Sequence, residues 1–278
     1  EEVIEERGAD PVASYLESIA KVQDVQGLLE LSGSFYRKGI SGFVDIGAMS
    51  DAGDPDRNLL TFLQAGLGLP DESYYREEQF AQTVEDYRGH LARLLGLGGI
   101  EDAEAAAASV VQLETAIASH HWDRVKVRDA QARYNLLPGA ELFGLMPGLR
   151  SWLGGAGIEE KYFSEVVVWQ PSYIEALSGL LEEHPLEAWK NWLTVQVLRS
   201  FAPYLSSAFV NENFSFYSAK LGGVEKLKDR WKRGVAFTEG AVGEDLGQLY
   251  VAGNFPPEAK TAMDALVQRL IEAYRISI

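Results

Sequence analysis

The chain has 278 residues, 46% hydrophobic and 24% charged, the balance of a soluble globular protein able to bury a sizeable core in one or two domains. Its formal charge of −16 excludes a nucleic-acid partner, which needs clustered Lys and Arg, and the absence of cysteine excludes disulfides, thiolate zinc sites and cysteine nucleophiles. No run approaches the roughly 20 apolar residues of a membrane span, and no leader peptide is visible, although the chain starts at Glu1 rather than Met. Glu1 to Glu6 read as the tail of a helix that closes at Gly8, and Ile276 and Ile278 make an odd natural end, so both termini read as cut.

Most of the chain has helical periodicity. Asp10-Pro11 gives a cap followed by a first-turn proline, with Val12, Tyr15, Leu16 and Ile19 on one face. A second helix starts near Asp24 and ends before Gly39. Residues 42–49 and 58–64 lean towards strand and flank Asp51 to Arg57, which is dense in turn formers, so a β-hairpin is expected there. After the break at Gly66 to Pro70, Phe80, Val84, Tyr87, Leu91 and Leu94 recur at helical spacing up to Gly96. Asp102 caps the next helix, which runs to His120, and a long loop follows. Short helices are expected around Leu142 to Leu153, while Val166 to Val168 is too short to separate strand from linker. Pro171 and Pro185 open two more helices, the second carrying Trp189, Leu193 and Val197. Beyond Gly222-Gly223 a long helix carries Leu227, Trp231, Val242, Leu246 and Leu249, and Asn254 to Pro257 starts the last. The fold class is mainly α: a multi-helical domain with one small β-hairpin.

Chemistry is harder to find. The four histidines include no pair four residues apart, so no helix presents two imidazoles to one metal. His120 and His121 are adjacent, and neighbours on a helix point about 100° apart, which favours a capping or surface role for them. Glu77-Glu78 and Glu244-Asp245 read as solvated helix faces, with no sign of the burial that separates an acid from a base. The glycine clusters lack a dinucleotide or phosphate-loop pattern, and no G-x-S-x-G is present. The six tryptophans read mostly as core.

Four segments, in order, carry a resemblance. They are Gly66-Leu-Gly-Leu-Pro-Asp-Glu-Ser-Tyr-Tyr75; Leu113-Glu114 with His121-Trp122, Arg128-Asp129 and Tyr134-Asn135; Phe209 to Tyr217; and Gly243 to Val251 with Phe255 to Lys260. Together they resemble the non-catalytic half of the neprilysin and endothelin-converting-enzyme family of zinc metallopeptidases. The resemblance implies a helical domain facing a catalytic domain across an internal cavity, with peptide substrates, and zinc in a catalytic domain absent from this chain. The family's zinc helix, its downstream glutamate ligand and its Asn-Ala-x-Tyr segment are absent, so no catalytic or metal-binding residue carries over. Because animal members are disulfide-bonded, the lack of cysteine suggests a bacterial member, cytoplasmic or secreted.

On this reading residues 1–205 form a helical substrate-access domain and residues 206–278 lead towards the catalytic part. Arg128, Asp129, Tyr134 and Asn135 combine one fixed charge, one carboxylate and two hydrogen-bonding side chains in a loop. They are expected to brace it rather than to touch substrate. The rival class is a stand-alone helical module that binds peptides or a partner protein without catalysis.

Overall fold

Caps and prolines start the helices close to where the sequence signals them. α1 spans Glu2–Arg7, and α2, Ala13–Ala20, is led in by a 3-10 turn at Asp10–Val12 that contains Pro11. The Asp24 carboxylate accepts the Gly27 N–H at 2.7 Å and opens α3, Val25–Tyr36. α4 is a single turn, Ser73–Arg76, ahead of α5, Ala81–Leu97. Asp102 caps α6, Ala103–His120. α7, Ala130–Arg133, α8, Gly139–Leu145, and α9, Leu149–Ala156, are short. α10, Pro171–Glu183, and α11, Leu186–Phe201, follow them. α12, Ser207–Asn213, runs on into a π-helix at Phe214–Leu221. α13, Arg230–Asn254, and α14, Pro257–Ser277, close the chain. The computed structural model describes residues 2–277.

The expected hairpin is present. β1, Val44–Ser50, pairs antiparallel with β2, Asn58–Gln64, in the register Val44 to Gln64 through Ser50 to Asn58. The sheet is larger than the sequence indicated. β3, Leu136–Pro138, and β4, Glu165–Val168, add to it in the order β1-β2-β4-β3, with β4 parallel to β2. Val166 and Val168 are buried on this strand, which settles the ambiguous valine run. The long loop after His121 also holds more structure than expected: a 3-10 turn at Lys126–Arg128, then α7 and β3.

The chain divides into two compact units, Glu1–Gly223 and Val224–Ile278. In the first, Trp152, Trp189 and Trp192 pack around Phe43, with ring centroids about it at 5.8, 6.2 and 6.3 Å. α3 and α9 touch backbone to backbone: a Cβ on Gly33 would lie 1.9 Å from the Trp152 carbonyl, and one on Gly155 2.0 Å from that of Glu30. Phe209, Val210 and Phe216 are buried in this unit, so residues 206–223 pack with the helices before them. In the second unit α13 breaks helical geometry at Val242 (φ −132°, ψ 26°), and no residue in 224–277 is buried. Trp231 is 68% exposed, unlike the core tryptophans. Among the described residues no helix is long and apolar enough to cross a membrane.

Candidate functional site

The most unusual group in the first unit is the carboxyl of Glu114. Val110, Leu113 and Ile117 share the buried face of α6 with it, and all four residues are 0% exposed. The break at Gly66 to Pro70 returns the chain through α4, where the Tyr75 hydroxyl donates to Glu114 Oε2 at 2.6 Å. The same hydroxyl accepts the Gly68 and Leu69 N–H groups at 3.2 and 3.0 Å, so its donor and both lone pairs are used. Tyr87 of α5 donates to Glu114 Oε1 at 3.3 Å. A Cβ on Gly68 would lie 1.7 Å from the Tyr87 hydroxyl oxygen, which explains glycine at that position.

Burial pushes the Glu114 carboxyl up to about 7; the Tyr75 hydrogen bond and the charge of Arg199 pull it down and lose. Burial, then the field of Glu114, drive Tyr75 and Tyr87 well above the ordinary tyrosine range, so both remain donors. Arg199 of α11 is half-buried. Burial opposes its charge, but Tyr217, Tyr87 and Glu114 outweigh that and hold the guanidinium protonated. The π-helix after α12 places Tyr217 beside Arg199, with the guanidinium donating to the hydroxyl at 3.4 Å.

Of the capping or surface role expected for it, His121 takes the first: it is the C-cap residue of α6 and is not on the surface. It is 9% exposed, its Nε2 donates to the Ala65 carbonyl at 3.0 Å, and burial pulls its pKa down to about 4. Its ring meets the edge of Tyr173, whose hydroxyl proton is shared between the carbonyls of Phe43 at 2.6 Å and Ala65 at 2.7 Å. Trp122 next to it exchanges two bonds with the Gln64 side chain, at 2.8 and 3.0 Å. The His-Trp pair thus ties the end of α6 to the end of β2. His120 is exposed. His90, 0% exposed, is stacked on Phe216 and bonded through Nδ1 to Glu212 at 2.8 Å, and Glu212 also accepts from Arg93.

The four loop residues do not converge on one point. Asp129 accepts the N–H groups of Gln131 and Ala132 at 2.9 and 3.0 Å and so caps α7. Asn135 donates to the carbonyls of Ala132 and Val168 at 2.9 and 3.0 Å, joining the loop to β4. Tyr134 bonds the Asp51 carboxylate in the hairpin turn, where Arg57 holds both Asp51 and Glu165 at 2.7 Å. The Gly53 N–H, before any other partner, keeps Asp51 below the usual carboxylate range. The Arg128 side chain is exposed, and the residue's backbone N–H closes a turn on the Val125 carbonyl.

An open cleft of about 660 Å³ at the end of β2 is lined by Tyr36, Asp45, Gln64, Glu72, His121, Gln196 and Arg199 among others. Its groups can donate and accept hydrogen bonds, but the described residues do not fit a zinc ion. Among them no three of His, Asp or Glu are grouped to hold a metal, and His90 and His121 are committed to protein partners. The sequence named Glu114 only within a resemblance segment, without a role, and gave no sign of Arg199 or Gln196. The signal for Glu114 was a lone carboxylate on the apolar face of α6, at helical spacing with Val110 and Ile117.

A model described as Peptidase family M13 matches residues 1–278. Endothelin-converting enzyme 1 from Cavia porcellus is 26% identical over 99% of the chain, and its Homo sapiens counterpart 25% over the same share. The chain spans 38% of the length of each. The zinc metalloprotease Zmp1 of Mycobacterium tuberculosis is 41% identical in its open state, with TM-score 0.90, and 40% identical in complex with inhibitor, with TM-score 0.93. All of this chain is covered in both, against 44% and 42% of those chains. PepO from Lactobacillus rhamnosis HN001 shares the fold at TM-score 0.84 and 18% identity.

Proposed function

The chain belongs to peptidase family M13, and from that membership we propose that it is the non-catalytic N-terminal part of a neprilysin-like zinc metalloendopeptidase, a helical wall limiting which peptides reach the zinc. The observation that carries this reading is the extent of the likeness. The whole chain is matched, yet it covers less than half of each Zmp1 chain. Zinc and its ligands would then lie in the remainder, and peptides and the protein's own catalytic domain are the partners of this part.

Its contribution is steric and positional. Close helix contacts such as that between α3 and α9 make walls that do not yield to a bulky substrate, and enclosure restricts water around the chemistry. Zmp1 has been solved in states described as open and partial open, which supports a reading in which access depends on movement of this part. Residues 1–205 serve as the access domain and residues 206–278 lead to the catalytic part. The burial of Phe209 and Phe216 with the earlier helices supports drawing that change of role nearer Gly223 than residue 206.

The test uses the full-length protein with a series of quenched peptides of increasing length and a folded protein that contains the same cleavage sequence. Chelator-sensitive turnover with a sharp size ceiling is expected, and none from the 278-residue chain alone. Cleavage of the folded protein as fast as the short peptide would overturn the wall, and chelator-sensitive turnover by the isolated chain would overturn the division of labour.

A further inference from the structure

The cleft at the end of β2 contains polar groups that the fold itself leaves unused. Gln196 and Arg199 stand one turn apart on α11, so both reach the cleft from one helix face. Gln196 is 1% exposed, and its Nε2 is buried without a hydrogen-bond partner. A buried amide left so costs stability, which an acceptor from outside would relieve. Arg199 has five N–H donors but makes one hydrogen bond among the described residues, the 3.4 Å contact with Tyr217. Glu114 acts on it through its field without forming an ion pair. A half-buried guanidinium beside an unsatisfied amide presents several donors in a fork, and the planar group that matches it is a carboxylate.

A second group gives the cleft polarity. Glu72 lines the same space, is 5% exposed, and its carboxyl has no hydrogen bond or ion pair among the described residues. The other acidic residues of the lining are engaged: Asp45 takes the Tyr36 hydroxyl, and Asp71 takes the Ser73 N–H at 3.0 Å. One donor pair and one acceptor therefore remain, and a volume of about 660 Å³ is ample for a molecule of a few residues.

We propose that this cleft is an accessory site for a small zwitterion of the amino-acid or short-peptide class, its carboxylate held by Arg199 and Gln196 and its ammonium by Glu72. The site stands on the cleft alone and does not depend on where the protein holds zinc. It is read by titration calorimetry on the full-length protein with three probes: glycylglycine, its C-terminal amide, and its N-acetyl form. Glycylglycine binds saturably, the amide does not, and the N-acetyl form binds more weakly. Gln196→Leu keeps the volume, removes the orphaned amide, and weakens glycylglycine by roughly tenfold, as expected for one hydrogen bond to a charged group. Arg199→Met abolishes binding, and Arg199→Lys, which keeps the charge should the Met variant unfold, still loses roughly tenfold because the fork is gone. Failure of the wild type to bind, equal affinity for acid and amide, or unchanged affinity in a folded Gln196→Leu would each overturn the site.

Discussion

Glu114 and His121 are each buried against their preferred charge, and their effects on stability run in opposite directions. The folded pKa of Glu114 is raised from 4.5 to about 7. The folded state therefore holds the proton more tightly, and stability is lost as pH rises through that window. The folded pKa of His121 is lowered from 6.5 to about 4, so the unfolded state binds the proton more tightly and stability is gained as pH rises between those values. The windows overlap, and there the two contributions oppose each other. Glu114→Gln exposes the histidine, and its melting temperature should rise from pH 4 to pH 6.5. His121→Gln exposes the carboxyl, and its stability should fall from pH 4.5 to pH 7, each by roughly 3 kcal/mol across the window. Parallel pH profiles in the two variants would contradict the assignment. A third residue tests the loop. Asp129 accepts two N–H groups at the start of α7, so Asp129→Ala should lower stability by about 1 kcal/mol, the usual worth of such a cap. A thermal melt unchanged by that substitution would remove the bracing role.

At the scale of elements, the tightest constraint on the Glu114 centre is Gly68, because a Cβ there meets the end of the fully buried Tyr87. Gly68→Ala should cost about 1–3 kcal/mol through overpacking, and Tyr87→Phe in the same chain should recover part of it by removing the hydroxyl. Independent, additive losses in a double-mutant cycle would show that the two do not touch. The elements differ in how legible they were. The hairpin was readable because its turn formers lie between two strands adjacent in sequence. β4 was not, because its partner β2 ends a hundred residues earlier and parallel pairing leaves no local turn signal. α5 announced itself through Tyr87, Leu91 and Leu94, all buried as their spacing implies. The single turn α4 and the π-helix have no such period, yet they position Tyr75 and Tyr217. The sequence thus showed the scaffold and held Tyr75, Glu114 and Tyr217 in its resemblance segments, while their convergence, which depends on contacts between distant segments, came only from the fold.

Taken whole, the molecule joins a unit with a dense core to one with none. Residues 224–277 include Trp231, Leu249, Tyr250, Met263, Leu266, Leu270 and Tyr274, each between 48% and 73% exposed. Met263, Leu266 and Leu270 recur at helical spacing on α14, the pattern of a face made to be covered. Apolar surface of that kind marks an interaction site, and the cover expected for it in the parent protein is the catalytic part. Amide hydrogen exchange compares the two cases directly. In the 278-residue chain, α13 and α14 should exchange quickly, since few buried contacts oppose their opening. In the full-length protein the same amides should slow by orders of magnitude, with Leu266 and Leu270 among the most affected. Light scattering on the isolated chain should show association that grows with concentration, because the same surface is open to a second copy. Equal exchange in both forms would show that the catalytic part does not cover this face, and the apolar stripe of α14 would need another occupant.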